Sequence, residues 1–451
     1  MNHDDLVDEG RYDRLRMAQW LAGRARGDGL SRRTLLRLSA GAALAGVPGL
    51  GGPPGLGGRP GLGGPRTRTV GPDAPPARTA ATVAPAVDPP PIVKPLPPEL
   101  FEVFGTNAEM RWEAMRDQGY LVPIDRFFVR NHTRTPRLDV DSWRLNVFGS
   151  GLRGAPTAAN PVRFTYRELR ALPSTTVTAF VECAGNGRSF YTTQQNQVVS
   201  GTAWKLGAVG VARWRGVRLS TVLRHAGITA AAVDVMPQGL DPNFVSGGVD
   251  LGPVRRPLSV AKALRDVLIA YEMNGEPLPP DHGFPVRLVV PSWIGIASIK
   301  WLGQIEVSDE PLFSPWNTQF YRLFGPDQPV EGTIIDRQVT KSAFELARGA
   351  ELPAGQTTVL RGRSWSGHGP IRRVEVSTDA GVSWRPAHRF GPDPAPAWQR
   401  WELRWHPTAT GPYTLLARAT DAAGVTQPDI APFNTLGYLF GGVVRHPVSV
   451  I

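Results

Sequence analysis

Between residues 99 and 330 the hydrophobic positions come in short runs, and their period changes from one run to the next. Thr165-x-x-Glu168 pairs a hydroxyl that accepts an N–H three residues on with a carboxylate that returns the bond, which predicts a short helix stopping at Pro173. Residues 176–182 are rich in β-branched side chains and predict a buried strand that delivers Cys183 to the loop beyond. Ser220 is placed to cap a helix carrying Val222, Leu223 and Ala226 and closed by Gly227, and Ser259 to start another through Leu264. Residues 267–273 predict a strand ending in the tight turn Asn274-Gly275, and residues 286–290 and 301–307 predict two more. Short helices and strands without βαβ regularity predict an α+β fold.

From about Gly332 the texture changes. Residues 358–360, 374–377, 401–405 and 413–420 alternate apolar and polar positions between Gly, Pro and Asp turns, with Asp379-Ala380-Gly381 as a hairpin tip between strands at 374–376 and 382–384. This predicts an immunoglobulin-like β-sandwich over residues 331–451. Such a module by itself implies packing or interaction and no chemistry.

Ahead of the body, residues 46–98 hold 11 Gly and 15 Pro. Six Gly-X-Y triplets run from Gly49 to Arg66, and a Pro/Ala/Thr stretch follows. A tether is the simpler reading of so short a collagen-like register, so residues 51–98 are expected to be a disordered linker and the folded body to start near Glu99. Ser31-Arg32-Arg33 precedes a short, weakly apolar stretch, so residues 1–50 resemble a twin-arginine export signal, a surface helix with an arginine pair being the alternative. Export of a folded chain to the periplasm or another extracytoplasmic space is the expectation, with a membrane tether if the signal stays uncleaved.

Lys+Arg 50 against Asp+Glu 39 gives a net charge of +11, but the basic residues never cluster beyond pairs such as Arg255-Arg256 and Arg372-Arg373. No nucleic-acid partner is expected. The single cysteine excludes an intrachain disulfide, a structural Cys-based zinc site and a CxxCH haem attachment, so no haem is expected in this chain.

That cysteine lies in Phe180-Val181-Glu182-Cys183-Ala184-Gly185-Asn186-Gly187-Arg188-Ser189. A lone cysteine is often a small buried hydrophobe, yet this one is followed by small residues that let bulky material approach, and by an arginine that favours thiolate. Here the sequence resembles the sulfite oxidase family of molybdopterin enzymes. The resemblance rests on Glu182-Cys183-Ala184-Gly185-Asn186, on Phe127-Phe128-Val129-Arg130-Asn131-His132, on Ala270-Tyr271-Glu272-Met273-Asn274-Gly275, on Asp281-His282-Gly283-Phe284-Pro285-Val286-Arg287 and on Ser298-Ile299-Lys300-Trp301-Leu302-Gly303. It covers about residues 100–451, with 99–330 as the molybdopterin-binding catalytic domain and 331–451 as the dimerisation domain.

The resemblance implies one molybdenum–molybdopterin per chain, with Cys183 as the metal ligand. It implies cofactor contacts from Phe128, Arg130, Asn131, His132, Asp241, His282, Arg287, Ser298, Ile299 and Lys300. Around the substrate it implies Arg130, Arg188, Trp204, Tyr321 and Arg445, a core aromatic being the alternative for Trp204 and Tyr321. The implied activity is oxidation of sulfite, or a related sulfur oxyanion, to sulfate, with electrons passed to a c-type cytochrome or haem subunit, and the implied assembly is a homodimer. Methionine sulfoxide-type reduction and a non-catalytic sulfur-pathway subunit are the alternatives. Animal members carry two adjacent arginines where this chain has Gly187-Arg188, one positive charge fewer.

Overall fold

The computed structural model describes residues 90–392 and 396–451, and all that follows concerns those residues. The export motif, the Gly-X-Y tract and the linker up to residue 89 lie outside the described residues.

The strand ahead of Cys183 runs Ser174–Glu182 and pairs antiparallel along its whole length with Val209–Arg218. Leu268–Met273 pairs with the far edge of Val209–Arg218 and carries Arg287–Val289 and Glu276–Pro277 in turn. Successive residues of a strand face opposite sides. Accordingly Ile269 and Tyr271 join one core, with Leu145, Val217, Leu288 and Ile305, while Leu268, Ala270 and, past the register shift between Ala270 and Glu272, Met273 join the other, with Phe127, Val211, Trp214 and Val289. This sheet is therefore buried on both faces. A second sheet, in the order Leu258–Ser259, Asp234–Gly239, Leu302–Ser308, Arg144–Phe148 and Val162–Thr165, covers the first of these cores.

Thr165 and Glu168 form the reciprocal cap of helix Tyr166–Ala171, and Ser259 caps Val260–Arg265. Asn274 and Gly275 both take positive φ, 55° and 95°, as the tight turn requires. Ser220 does not cap its helix. Leu219–His225 starts directly off the preceding strand with Arg218 at the N-cap, because the Leu219 N–H is already held by the Val267 carbonyl at 2.9 Å. At seven residues this is the longest α-helix among the described residues, so the helical share of the expected α+β fold is small.

The C-terminal region forms two sheets. One has the order Lys341–Phe344, Thr358–Trp365, Gln399–Trp405, His388–Phe390, and the other Ala350–Leu352, His446–Val450, Gly411–Asp421, Ile371–Ser377, Arg385–Pro386. Phe344, Leu360, Val374, Val376, Trp401, Leu415 and Val448 fill the space between them. The hairpin tip is longer than expected, and residues 382–384 are not a strand. Ser377 Oγ donates to Asp379 and accepts the Gly381 N–H, and Asp379 accepts the Ser383 N–H, so side chains take the place of the ladder until Arg385.

The body also begins earlier than Glu99. Ile92 is buried with Phe101, Ala108 and Val129, and the Val93 and Lys94 N–H groups donate to the Asp281 carboxylate at 2.7–3.1 Å.

Behind the Cys183 loop, Glu109 accepts the Lys205 and Gly207 N–H groups at 2.9–3.2 Å. Burial pushes its pKa up to about 7 from an ordinary 4.5, against the pull of those bonds. Between these values the folded chain keeps a proton that the unfolded chain releases, so stability falls as pH rises through the window, by about 3 kcal/mol from this group. Urea titrations at pH 5 and pH 8 are expected to show that loss, and Glu109→Gln to flatten it. An unchanged slope in the variant would assign the loss elsewhere.

Candidate functional site

Cys183 leaves the end of its strand with the backbone still engaged. Its N–H donates to Ala208 O at 2.9 Å, and its carbonyl accepts the Asn186 N–H at 2.9 Å. The thiol is free and opens on a cleft of about 710 Å³, counting its mouth. Gly295 lets the opposite wall come close, since a β-carbon there would lie 2.7 Å from Glu182 O. Gly187 sits at φ +92° with Phe440 3.0 Å from where its β-carbon would be, so glycine at this position follows from the local backbone.

The cleft collects cations. Arg130 lies within hydrogen-bonding reach of the Cys183 thiol, and its Nη1 is buried with no partner. Burial opposes its charge, but the surrounding phenols and thiol outweigh that and hold its pKa above the ordinary arginine value. His132 Nε2 accepts the Trp316 Nε1–H at 3.1 Å, which leaves Nδ1 as the donor; burial, then Arg130 and Lys300, keep the ring neutral. His282 is held neutral by burial and by Lys94, Lys300 and Arg287, and its Nε2 has no partner.

Arg287 donates to the carbonyls of Leu288, His282 and Ser298, each at 3.1 Å, and burial lowers its pKa to about 9. Lys300 Nζ donates to Asp281 O at 2.7 Å and to Asn131 Oδ1, and burial pushes its pKa well below the ordinary value. Ser298 Oγ accepts the Val290 N–H, so its own proton remains to donate. Asp241, bonded to the Val254 N–H, has its pKa raised by burial to about 6. Phe128 and Ile299 add apolar wall. So dense a group of buried cations and open donors is an anion site with a flat apolar side.

Tyr321 lines the cleft at φ +57°, and burial raises its phenol pKa. Its ring stacks on Tyr438, with centroids 5.2 Å apart and planes 13° apart. Tyr438 comes from the C-terminal region, in a segment whose Leu439 N–H donates to Ala184 O at 2.8 Å. Arg188 is buried beside the cleft, 5.2 Å over the Tyr438 ring, with Nε on Leu436 O and Nη1 on Thr202 O. It does not line the cleft.

Two expected residues lie elsewhere. Trp204 packs edge-on against Phe104 in the buried cluster and does not line the cleft, while its carbonyl accepts the Ser189 N–H at 3.0 Å. Arg445 is exposed, one residue ahead of the strand His446–Val450, with its N–H donating to Gln194 Oε1 at 2.9 Å and its carbonyl accepting from Arg348 Nη1 at 2.8 Å. From the second domain it is Tyr438 that reaches the site, and only its partners in space, not a motif, identify it.

The chain matches the family profiles of the oxidoreductase molybdopterin binding domain over residues 132–316 and of the Mo-co oxidoreductase dimerisation domain over residues 333–448. It is 38% identical over 357 residues to sulfite oxidase of Gallus gallus, covering 74% of each chain. The chain belongs to the sulfite oxidase family. Mitochondrial sulfite oxidase of Rattus norvegicus is 36% identical over 367 residues, 76% of this chain and 64% of that protein's length. The crystal structure of the sulfane dehydrogenase SoxCD from Paracoccus pantotrophus superposes with a TM-score of 0.65 at 26% identity, covering 81% of this chain and 92% of that one.

A molybdopterin fits the family's cleft as this chain builds it. Arg130 Nη1 and His282 Nε2 are buried donors or acceptors without partners, and Lys300 and Arg287 carry charge that burial penalises until an anion arrives. Among the described residues no cluster of three or more His, Cys, Asp or Glu stands ready to hold a bare metal ion. A single thiol beside a polar cleft suits a metal that brings its other ligands with it. Gly295→Ala is expected to leave the chain folded but to cut its molybdenum and pterin content several-fold, measured per chain on purified protein. Full occupancy would show that the wall tolerates the extra carbon.

Proposed function

We propose that this chain oxidises sulfite, or a closely related sulfur oxyanion, to sulfate at a molybdenum–molybdopterin held in the cleft. The observation that carries the reading is the unpartnered Arg130 guanidinium edge beside the lone thiol of Cys183. Bound there, the group supplies two-electron oxygen-atom transfer, with water as the oxygen source and two electrons passed to an external acceptor.

The protein's part is binding and orientation. Cys183 would hold the metal. His282, Arg287, Ser298, Lys300 and the Asn131-His132 pair would hold the pterin and its phosphate, with Asp241 at their edge. Arg130 presents a planar, permanently charged donor to an oxyanion, which a neutral sulfoxide does not need, and this favours oxidation over S-oxide reduction. Tyr321, kept protonated by its burial, donates its O–H to substrate or product. Arg188 steadies the Tyr438 ring and adds positive potential from behind.

The match to a dimerisation domain supports a homodimer, in which the two C-terminal sheets are an immunoglobulin-like sandwich. A c-type cytochrome or haem subunit suits the need for an acceptor of single electrons. The Ser31-Arg32-Arg33 motif supports export of the folded, loaded chain through the twin-arginine pathway.

Sulfite-dependent reduction of ferricyanide, normalised to molybdenum, is expected to saturate with sulfite. Arg130→Gln is expected to raise KM about tenfold or more, in line with loss of one charged hydrogen bond. Full molybdenum content with no sulfite turnover would overturn the reading.

A further inference from the structure

Glu182 has no exposed surface, and everything that answers its carboxylate is within hydrogen-bond distance. Lys341 Nζ donates to Oε1 at 2.7 Å and Asn186 Nδ2 to the same oxygen at 2.9 Å, while Trp365 Nε1 donates to Oε2 at 2.8 Å. Gln338 Nε2 takes the Glu182 backbone carbonyl at 2.8 Å. Lys341 Nζ also donates to Asn186 O at 2.8 Å, and Asn186 Oδ1 accepts the Ala208 N–H at 3.0 Å. Lys341, Trp365 and Gln338 all belong to the C-terminal region, whereas Glu182 and Asn186 bracket Cys183.

We propose that Lys341 is a positioning residue for the Cys183 thiol, acting through Glu182 and Asn186, so that the C-terminal domain sets the direction in which the thiol enters the cleft. The proposal rests on the reading of Cys183 as the metal ligand. Its physical basis is rigidity. A fully buried ion pair whose two carboxylate oxygens each accept a hydrogen bond, and whose ammonium donates to Glu182 Oε1 and Asn186 O, is held in a narrow range of geometries, and moving either partner exposes a charge to an apolar interior. Cys183 lies one residue from the pair's acid and three from its amide arm, so it inherits that geometry. A role confined to fold stability would leave the thiol's direction untouched once the fold is restored by neutral partners.

The test uses the full chain and its single thiol. Glu182→Gln combined with Lys341→Met removes both charges together and leaves neither buried alone. In chain made without the cofactor, alkylation of Cys183 by iodoacetamide, followed by mass spectrometry, is expected to change by about fivefold or more relative to wild type. In cofactor-loaded chain, the Mo(V) electron paramagnetic resonance signal is expected to shift. A double variant with wild-type alkylation and a wild-type signal would overturn the proposal. Gln338→Met, which removes only the donor to the Glu182 carbonyl, is expected to give the same changes in smaller degree. Failure of both variants to fold would make the contacts structural and overturn it as well. A loaded wild-type chain whose thiol alkylates as fast as the cofactor-free one would instead remove Cys183 from the metal.

Discussion

A carboxylate with no exposed surface needs its charge and both its oxygens answered inside the protein, and at Glu182 the answer comes largely from another domain. Lys341, Trp365 and Gln338 reach across to it while the strand Ser174–Glu182 holds it from its own side. The next residue is Cys183. Strand pairing, the buried ion pair and the small-residue loop therefore converge on one thiol, and the C-terminal sheets are bound to the edge of the cleft by hydrogen bonds and an ion pair as well as by packing.

The cleft itself is assembled from groups that are costly to bury. Arg287 and Lys300 keep backbone carbonyls as partners, and the two histidines are held neutral. Such an arrangement is tolerable in the empty chain and becomes favourable when an anion takes up the remaining donors. This electrostatic bias, together with the flat wall of Phe128 and Ile299, suits a phosphate-bearing heterocycle. The same logic limits the substrate end, where Arg130 alone has an open edge because Arg188 is committed to two carbonyls.

Local chemistry was legible from the sequence wherever the partners are near in the chain. The Thr165–Glu168 cap, the Ser259 cap, the Asn274-Gly275 turn and the strand ahead of Cys183 each depend on a few adjacent residues. Where a distant group decided the outcome, the sequence misled. Ser220 lost its capping role to a helix start held by the Val267 carbonyl; the 382–384 strand was lost nearer by, to the Ser377 and Asp379 side chains that compete with the ladder. Tyr438 and Lys341 lie 255 and 158 positions from Cys183 along the chain and carry no motif of their own. Residues 91–98, proline-rich and easily taken for linker, are anchored by an aspartate almost two hundred positions away.

If the cleft holds molybdenum, the thiol of Cys183 is bound to it. X-ray absorption at the molybdenum edge, on chain purified from a host that makes the cofactor, tests that bond most directly. The expected result is one more sulfur neighbour at molybdenum in wild-type chain than in Cys183→Ser. Equal sulfur counts in the two would show that the protein's only cysteine does not bind the metal, and would contradict the site described above.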